Sequence, residues 1–238
     1  GHLKSENLQA LMKKKVTALA YEFIEDKVGG MPIIRAMSEI AGTTVLLIAA
    51  ENLSSANSGK GIILGGITGV PPTKVVIIGA GTVAEYAARA AIGLGAEVQV
   101  FDNHIYKLRR IKSMLGQQIY TSTIDTLTLG QTLESADVVI GALRAEKGPA
   151  RHVISEEMVM RMKTDSLIID LSIDQGGCIE TSEITTLSKP VFRKHGVIHY
   201  CVPNVASRVA HTATTALSNI FTPTILRAAE EGGIEEMI

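Results

Sequence analysis

Residues 74–102 read KVVIIGAGTVAEYAARAAIGLGAEVQVFD, and their pattern is the strongest indication of the fold. An apolar run, a G-x-G turn, a small-residue helical segment, a second apolar run and a terminal acid form one strand, helix and strand unit. Gly79 allows a tight turn after the first strand, and Gly81 lets the backbone approach a pyrophosphate. Ala84 stands where a third glycine would allow close helix packing. The stretch therefore predicts a dinucleotide-binding unit.

The residues after the G-x-G predict how the dinucleotide is held. Thr82 and Val83 begin the helix, whose free backbone N–H groups and positive dipole end suit phosphate groups. Asp102 closes the second strand, where a carboxylate accepts hydrogen bonds from both ribose hydroxyls. A 2'-phosphate would meet this negative charge, which favours NAD over NADP. An ordinary strand-to-helix turn and an S-adenosylmethionine-binding methyltransferase remain alternatives.

Charge and composition exclude several classes of partner. The 238-residue chain has 23 Lys and Arg against 24 Asp and Glu, so its formal net charge of -1 creates no strong attraction to nucleic acid or anionic lipid. Cys178 and Cys201 are too few for a disulfide framework, and the N-terminus lacks the apolar core of a signal peptide. The apolar run within residues 32–53 is shorter than the roughly 20 residues that span a bilayer. We expect a cytoplasmic protein.

The alternation of apolar strands with helical segments predicts the architecture. Continuous apolar strands separated by helices are typical of a parallel sheet that is covered on both faces. The fold class is therefore α/β, a doubly wound parallel sheet of the Rossmann type. The predicted strands are KVVIIGA, EVQVFD, QIYTS, ADVVIGA, SLIIDLS and VIHYCV.

Three segments are expected along the chain. Residues 1–31 contain a predicted strand, VTALAYE, without a sheet of its own, and we interpret them as the remnant of a second, substrate-binding domain. Residues 32–206 form the dinucleotide-binding domain. Residues 207–238 form a connecting helix that returns to the substrate domain, and Pro223 should kink or break it. The chain thus reads as a fragment.

Ligands of such sheets bind outside the carboxyl ends of the strands, so the residues after each strand are candidates for the site. Asp174 lies in IDQGG after SLIIDLS, and a role in the reaction or in stabilising the turn fits it equally well. Asn204 follows VIHYCV and either donates its amide to a ligand or serves a turn. We interpret His199 as a partly buried strand residue and His211 as a helix-face residue. No metal-ligand spacing and no G-x-S-x-G motif occurs.

Several motifs together resemble the alanine dehydrogenase and nicotinamide nucleotide transhydrogenase family. The motifs run over nearly the whole chain: HL at position 2, AYE at 20, PIIRAMSEIAG at 32, GKGIILGGITGVPPTKVVIIGAG at 59, ADVVIGA at 136, IIDLSIDQGGCIETS at 168 and HYCVPN at 199. IDQGGC and HYCVPN resemble the alanine dehydrogenases, whereas the transhydrogenase subunit typically has an Asn-Gly-Gly version. The resemblance implies an NAD-dependent oxidoreductase that interconverts L-alanine with pyruvate and ammonia.

The same resemblance implies roles in catalysis. His2 matches the family's catalytic histidine, and Asp174 matches its catalytic aspartate. Histidine suits the acceptance and return of protons near neutral pH, and an aspartate suits the orientation of water or the stabilisation of a cationic intermediate. The family's Lys and Arg that hold the substrate carboxylate would precede His2, so we expect the chain alone to bind cofactor but to turn over little substrate.

The resemblance also implies cofactor contacts and an assembly. Ser38 matches a serine at the cofactor phosphates, Asp102 the ribose-binding acid, Lys107 a basic residue shortly after it, and Asn204 an asparagine beside the nicotinamide. A homo-oligomer is expected. Two other functions stay open, namely an NAD(H)-binding subunit of a transhydrogenase-like system and a non-catalytic redox sensor.

Overall fold

A seven-stranded, mostly parallel sheet forms the centre of the molecule in the computed structural model, which describes residues 5–26, 28–144, 152–230 and 232–233. The strand order is β3-β2-β1-β4-β5-β7-β6, and every neighbouring pair is parallel except β6 and β7. The predicted doubly wound α/β architecture is thus confirmed. The strands are β1 (Lys74–Ile78), β2 (Glu97–Phe101), β3 (Tyr120–Ser122), β4 (Val138–Gly141), β5 (Leu167–Asp170), β6 (Val191–Lys194) and β7 (Val197–Tyr200).

Contacts between residues in space divide the chain into two compact units. One comprises residues 37–215, and the other comprises residues 1–36 together with residues 216–238. The larger unit holds the whole sheet. Two long helices, α2 and α7, each begin in one unit and continue into the other. The described helices are α1 (Ser5–Lys13), α2 (Pro32–Leu53), α3 (Thr82–Gly93), α4 (Ile105–Leu115), α5 (Thr126–Ser135), α6 (Glu156–Met160) and α7 (Ala210–Glu230).

Both faces of the sheet are buried, which explains why the strands are apolar throughout. In β1, Val75 and Ile77 face a core formed with α2 and α3, while Val76 and Ile78 face a second core formed with α5 and α6. Small residues let α3 approach the sheet closely, because alanine adds little bulk between helix and strand. The buried alanines of α3 are Ala84, Ala87, Ala88 and Ala91.

Strand β6 was missed by the sequence prediction. Its residues VFRK include two cations and lie partly or fully exposed, so they lack the apolar run that marks the central strands. It forms the antiparallel edge of the sheet, where charged side chains discourage pairing with other chains. His195 and Gly196 link β6 to β7, and both adopt positive φ angles, as a tight hairpin requires.

One local prediction in the smaller unit is wrong. Residues 16–22 form no strand in the structure, and Tyr21–Phe23 form a single 3-10 turn. A lone segment without a neighbouring edge has no partner for its backbone groups, so alternation of side chains alone does not make it a strand. Pro223 does not break helix α7, which continues through it although proline removes one helical hydrogen bond. The ring of Tyr21 lies 5.8 Å from that of Phe221.

One helix, α2, is long and apolar enough to cross a membrane by length and composition alone. A core helix of a soluble protein passes the same test. Val45, Leu46 and Ile48 of α2 are almost completely buried against the sheet, so its apolar character has an explanation within the fold.

Candidate dinucleotide site

The glycine turn between β1 and α3 has the geometry that the motif predicts. Gly79 has a φ of +109°, and a Cβ there would lie 2.5 Å from the carbonyl oxygen of Ala142, so the position needs glycine. At Gly81, no heavy atom lies within 4 Å of where a Cβ would be, so open space faces the start of α3. The N–H groups of Thr82 and Val83, in the first helical turn, have no carbonyl partner within the helix. Residues and space therefore fit a pyrophosphate.

Asp102, the predicted ribose acid, lies directly beside this turn. It is only 3% exposed. Its Oδ2 accepts a hydrogen bond from the Ala80 backbone N–H at 2.8 Å, and its Oδ1 accepts from the His104 backbone N–H at 2.8 Å. His104 Nδ1 lies 3.1 Å from the same Oδ1. The end of β2 and the glycine turn are thus coupled through one carboxylate.

Arg110 holds the glycine turn from its other side. Its guanidinium donates to the carbonyl oxygen of Ala80 at 3.0 Å and to Glu85 at 3.1 Å. Glu85 is only 3% exposed on α3 and also accepts from Arg89 at 3.2 Å, so its buried charge is compensated. The motif gives no signal for Arg110, because the contact depends on how α4 packs beside α3.

Helix α2 brings Ser38 towards the start of α3. A side chain at Gly42 would collide with the Val83 carbonyl and with Tyr86, so Gly42 marks the point where the two helices meet. Ser38 lies one turn before Gly42 on the same helical face. Burial, then the hydrogen bond with Glu39 of α2, raises the pKa of Tyr86 on α3. The two helices therefore also share a polar contact.

Asp174 is exposed in a 3-10 turn, Ile173–Gln175, that follows β5 and whose first residue, Ile173, is buried. Gly176 and Gly177 have φ angles of +104° and +75°, and the Gly177 N–H donates to the Ser172 carbonyl at 3.0 Å. The two glycines turn the chain back after Asp174, as their left-handed conformation requires. The carboxylate is thus presented to solvent at the carboxyl end of the sheet.

Asp170, which sequence reasoning missed, fixes both ends of this loop. It is 1% exposed at the end of β5 and accepts hydrogen bonds from the N–H of Ser172 at 3.0 Å, the N–H of Cys178 at 3.1 Å and the Ser182 hydroxyl at 2.8 Å. Burial raises its pKa, although these hydrogen bonds oppose the rise. The available signal was an acid at the end of an otherwise apolar strand. We name the segment from Ser172 to Ser182 the Asp174 loop.

His199 anchors the same loop from β7. The residue is completely buried, more than the partly buried position that we expected. Its Nδ1 donates to the Val197 carbonyl at 3.1 Å, so its Nε2 accepts from the Thr181 hydroxyl at 2.8 Å. Burial lowers the pKa of His199 to about 4, and the ring stacks on Phe192 with a centroid distance of 4.9 Å. The neutral imidazole therefore serves the structure.

The other residues that the sequence suggested lie in different environments. Asn204 follows β7 with a φ of +55°, and its carbonyl accepts from Ser207. Lys107 lies half-buried on α4, with its ammonium 5.9 Å from the Tyr106 ring. His211 is exposed on α7, and His2 lies outside the described residues. Across the part of the chain that the structure describes, no group of three or more His, Cys, Asp and Glu side chains is placed to hold a metal ion.

The parallel strands explain why these residues share one edge of the sheet. Gly79, Asp102, Asp174 and Asn204 follow the carboxyl ends of β1, β2, β5 and β7. The strand order reverses between β1 and β4, which is the switch point where ligands of doubly wound sheets bind.

A family model described as the C-terminal domain of alanine dehydrogenase/PNT matches residues 45–238. The chain belongs to this family. The resemblance drawn from its motifs is thereby confirmed, and the glycine turn is that of a dinucleotide-binding fold.

Curated relatives in the family are similar over nearly the whole of this chain. An alanine dehydrogenase of Mycolicibacterium smegmatis is 40% identical over 94% of the chain, and one of Bacillus subtilis is 40% identical over 99%. The chain spans 60% and 63% of the lengths of these two relatives.

Solved structures agree with this assignment. An L-alanine dehydrogenase superposes with a TM-score of 0.91 and 36% identity, covering 96% of this chain and 63% of the other. A transhydrogenase from Sinorhizobium meliloti superposes with a TM-score of 0.75 and 25% identity, covering 90% of this chain and 61% of the other. A dipicolinate synthase of Bacillus halodurans, at 22% identity and a TM-score of 0.65, shares the fold over 94% of this chain and 64% of its own.

Proposed function

We propose that this chain is the cofactor-binding part of an NAD-dependent L-alanine dehydrogenase, which interconverts L-alanine with pyruvate and ammonia. One observation carries the proposal. The exposed carboxylate of Asp174 is held by a pinned loop at the same edge of the sheet as the open glycine turn and Asp102. An acid of this kind beside a dinucleotide site is what a dehydrogenase needs, and the named relatives are alanine dehydrogenases.

The residues of the glycine turn and its surroundings would bind the dinucleotide. Thr82 and Val83 offer N–H groups to the pyrophosphate, and Asp102 accepts from the adenine ribose. Ser38 is assigned to the phosphates, because Gly42 brings its helical face to the start of α3. By resemblance, Lys107 and Asn204 contact the ribose side and the nicotinamide side. When bound, NAD would accept the hydride that the substrate loses.

Asp174 would act on the substrate side of the same edge. Its exposed carboxylate is suited to orient an attacking water and to stabilise the cationic intermediate that amine oxidation produces. His2 is assigned proton transfer, because an imidazole accepts and returns protons near neutral pH. The pinned Asp174 loop reduces the entropy that must be lost to reach the reactive geometry.

The proposal extends to the organisation of the protein. Residues 1–31 and 207–238 belong to the substrate domain or lead to it, and residues 32–206 form the cofactor domain. The enzyme is a cytoplasmic homo-oligomer that acts on small molecules and uses neither nucleic acid nor a membrane. The near-zero net charge supports the absence of nucleic acid and of a membrane among its partners.

The test is L-alanine-dependent reduction of NAD by the longest natural chain that contains this sequence. We expect activity in that chain and a loss of at least about 100-fold in kcat for Asp174→Asn, because a positioned acid or base contributes about that much. The affinity for NADH, measured by fluorescence on the 238-residue chain, should stay within about twofold, since Asp174 is assigned to the substrate.

A matched control is Asp165→Asn. Asp165 is a partly exposed aspartate with a φ of +60°, which asparagine also tolerates, and it pairs with Arg193 far from the carboxyl edge. This variant should keep full activity. Equal losses in the two variants would contradict the role of Asp174.

The structural similarity to a transhydrogenase favours a second candidate, an NAD(H)-binding subunit that passes hydride to a partner protein. NADH binding without turnover of alanine or other small amino acids by the natural chain would favour this function over the dehydrogenase.

A further inference from the structure

The carboxylate assigned to the ribose already has most of its hydrogen-bonding capacity in use. Asp102 accepts from the N–H of Ala80, the N–H of His104 and the imidazole Nδ1 of His104. A carboxylate offers about four acceptor positions. A ribose diol donates two hydrogen bonds, so three existing donors and the diol together exceed what Asp102 can accept.

The imidazole is the donor that can leave. The two N–H groups belong to the backbone of the glycine turn and of the residue before α4, and their removal would require these elements to shift. The imidazole belongs to a side chain that can rotate, and 38% of it is exposed. The Asp102 side chain is only 4% exposed, so the imidazole occupies part of the little space that faces the carboxylate.

We propose that the His104 imidazole competes with the adenine ribose for Asp102 and so weakens the binding of NAD relative to NADP. This inference rests on the proposed dinucleotide site. NADH must displace the ring to gain both hydrogen bonds from its diol. NADPH presents a 2'-phosphate at this position, and the displaced imidazole can donate to that phosphate.

The neighbouring side chains support a selective effect at the 2' position. Lys107 lies in the first turn of α4, the helix that follows Asp102, so this helix adds a cation to the imidazole as a partner for a 2'-phosphate. Arg110 already pairs with Glu85 on the other side of Ala80. The ring of Tyr106 contacts the imidazole edge-on at a centroid distance of 5.5 Å and helps to hold it in place.

The experiment measures dissociation constants of NADH and NADPH by fluorescence on the 238-residue chain and on His104→Ala. We expect NADH to bind about two- to tenfold tighter in the variant, the gain from one competing hydrogen bond. NADPH should bind equally or more weakly, so the preference for NADH rises. Tyr106→Ala, which leaves the imidazole in place but loosens it, should shift NADH in the same direction by less.

Two controls separate this effect from general ones. His195→Asn changes a histidine at the β6–β7 hairpin, at the amino end of β7, and should alter neither affinity. Unchanged NADH affinity in both His104→Ala and Tyr106→Ala, or equal gains for NADH and NADPH, would overturn the competition. No NADH binding by either the unchanged chain or the variants would overturn the proposed function and this inference with it.

Discussion

Two buried acids on neighbouring strands are stabilised in opposite ways. Asp137, just before β4, accepts from the ammonium groups of Lys163 at 2.9 Å and Lys60 at 3.3 Å, and from the Lys74 N–H at 3.0 Å. Burial would raise its pKa, but these donors outweigh burial and hold the pKa of Asp137 below its ordinary value. Asp170, at the end of β5, receives neutral donors, and burial raises its pKa.

The difference separates the two ends of the sheet. At the amino end, cations compensate the charge of an acid that ties β1, β4 and a surrounding loop together. At the carboxyl end, neutral N–H and hydroxyl groups hold Asp170, and a neutral imidazole holds Thr181. The backbone N–H groups of Ser172 and Cys178 have fixed directions, so they define the shape of the Asp174 loop, whereas ammonium groups accept many geometries. The ligand edge is therefore shaped by directional hydrogen bonds.

The largest effect is expected from Asp170→Asn. The amide would point an N–H group at donors that now meet an oxygen, so the free energy of unfolding should fall by about 2–3 kcal/mol. Urea denaturation at neutral pH measures this value. Asp137→Asn is the matched change at the amino end and should cost less. A larger cost for Asp137→Asn would reverse the comparison.

A change of pH should weaken the carboxyl end first. His199 is neutral in the folded chain with a pKa of about 4, while an unfolded histidine takes up a proton below about pH 6.5. Because the unfolded state binds more protons in this window, stability is lost as the pH falls from about 6.5 towards about 4. Between about pH 7.5 and about pH 5 the loss should be about 2 kcal/mol. Denaturation curves at the two pH values measure it.

The variant His199→Gln isolates this contribution. Glutamine does not titrate, so the unfolding free energy should be lower near neutral pH but should change much less between the same two pH values. An unaltered pH dependence in the variant would show that the acid sensitivity comes from other groups.

The smallest effect is expected at the amino end. Asp137→Asn should cost about 1 kcal/mol, because Lys60 and Lys163 are about a third exposed and solvent screens their attraction. The cost should shrink in about 1 M sodium chloride, where charges are screened within about 3 Å. Since the pKa of Asp137 is lowered, its contribution is present above about pH 4 and is lost only below it. If the loss of unfolding free energy in Asp170→Asn also shrank with salt, the proposed difference between the two ends of the sheet would be wrong.

The central strands and the glycine turn were predictable because their signals are local. β1 and β2 are continuous apolar runs, and Gly79 needs a positive φ that the motif itself implies. Strand β6 was not predictable, because its charged residues pair only where an edge is available. The strand predicted at residues 16–22 does not form, because alternating side chains do not provide the neighbouring strand that its backbone needs.

Local sequence patterns were enough to predict the α/β architecture, the family and the positions of Gly79, Asp102 and Asp174 along the chain. Those features depend on residues that are near one another in the sequence. Tertiary packing was needed to show that Asp170 and His199 pin the Asp174 loop, that Arg110 holds the glycine turn, and that the His104 imidazole contacts Asp102. Most of these contacts join residues from different elements, and all depend on the distance and direction of hydrogen bonds, which no spacing in the sequence specifies.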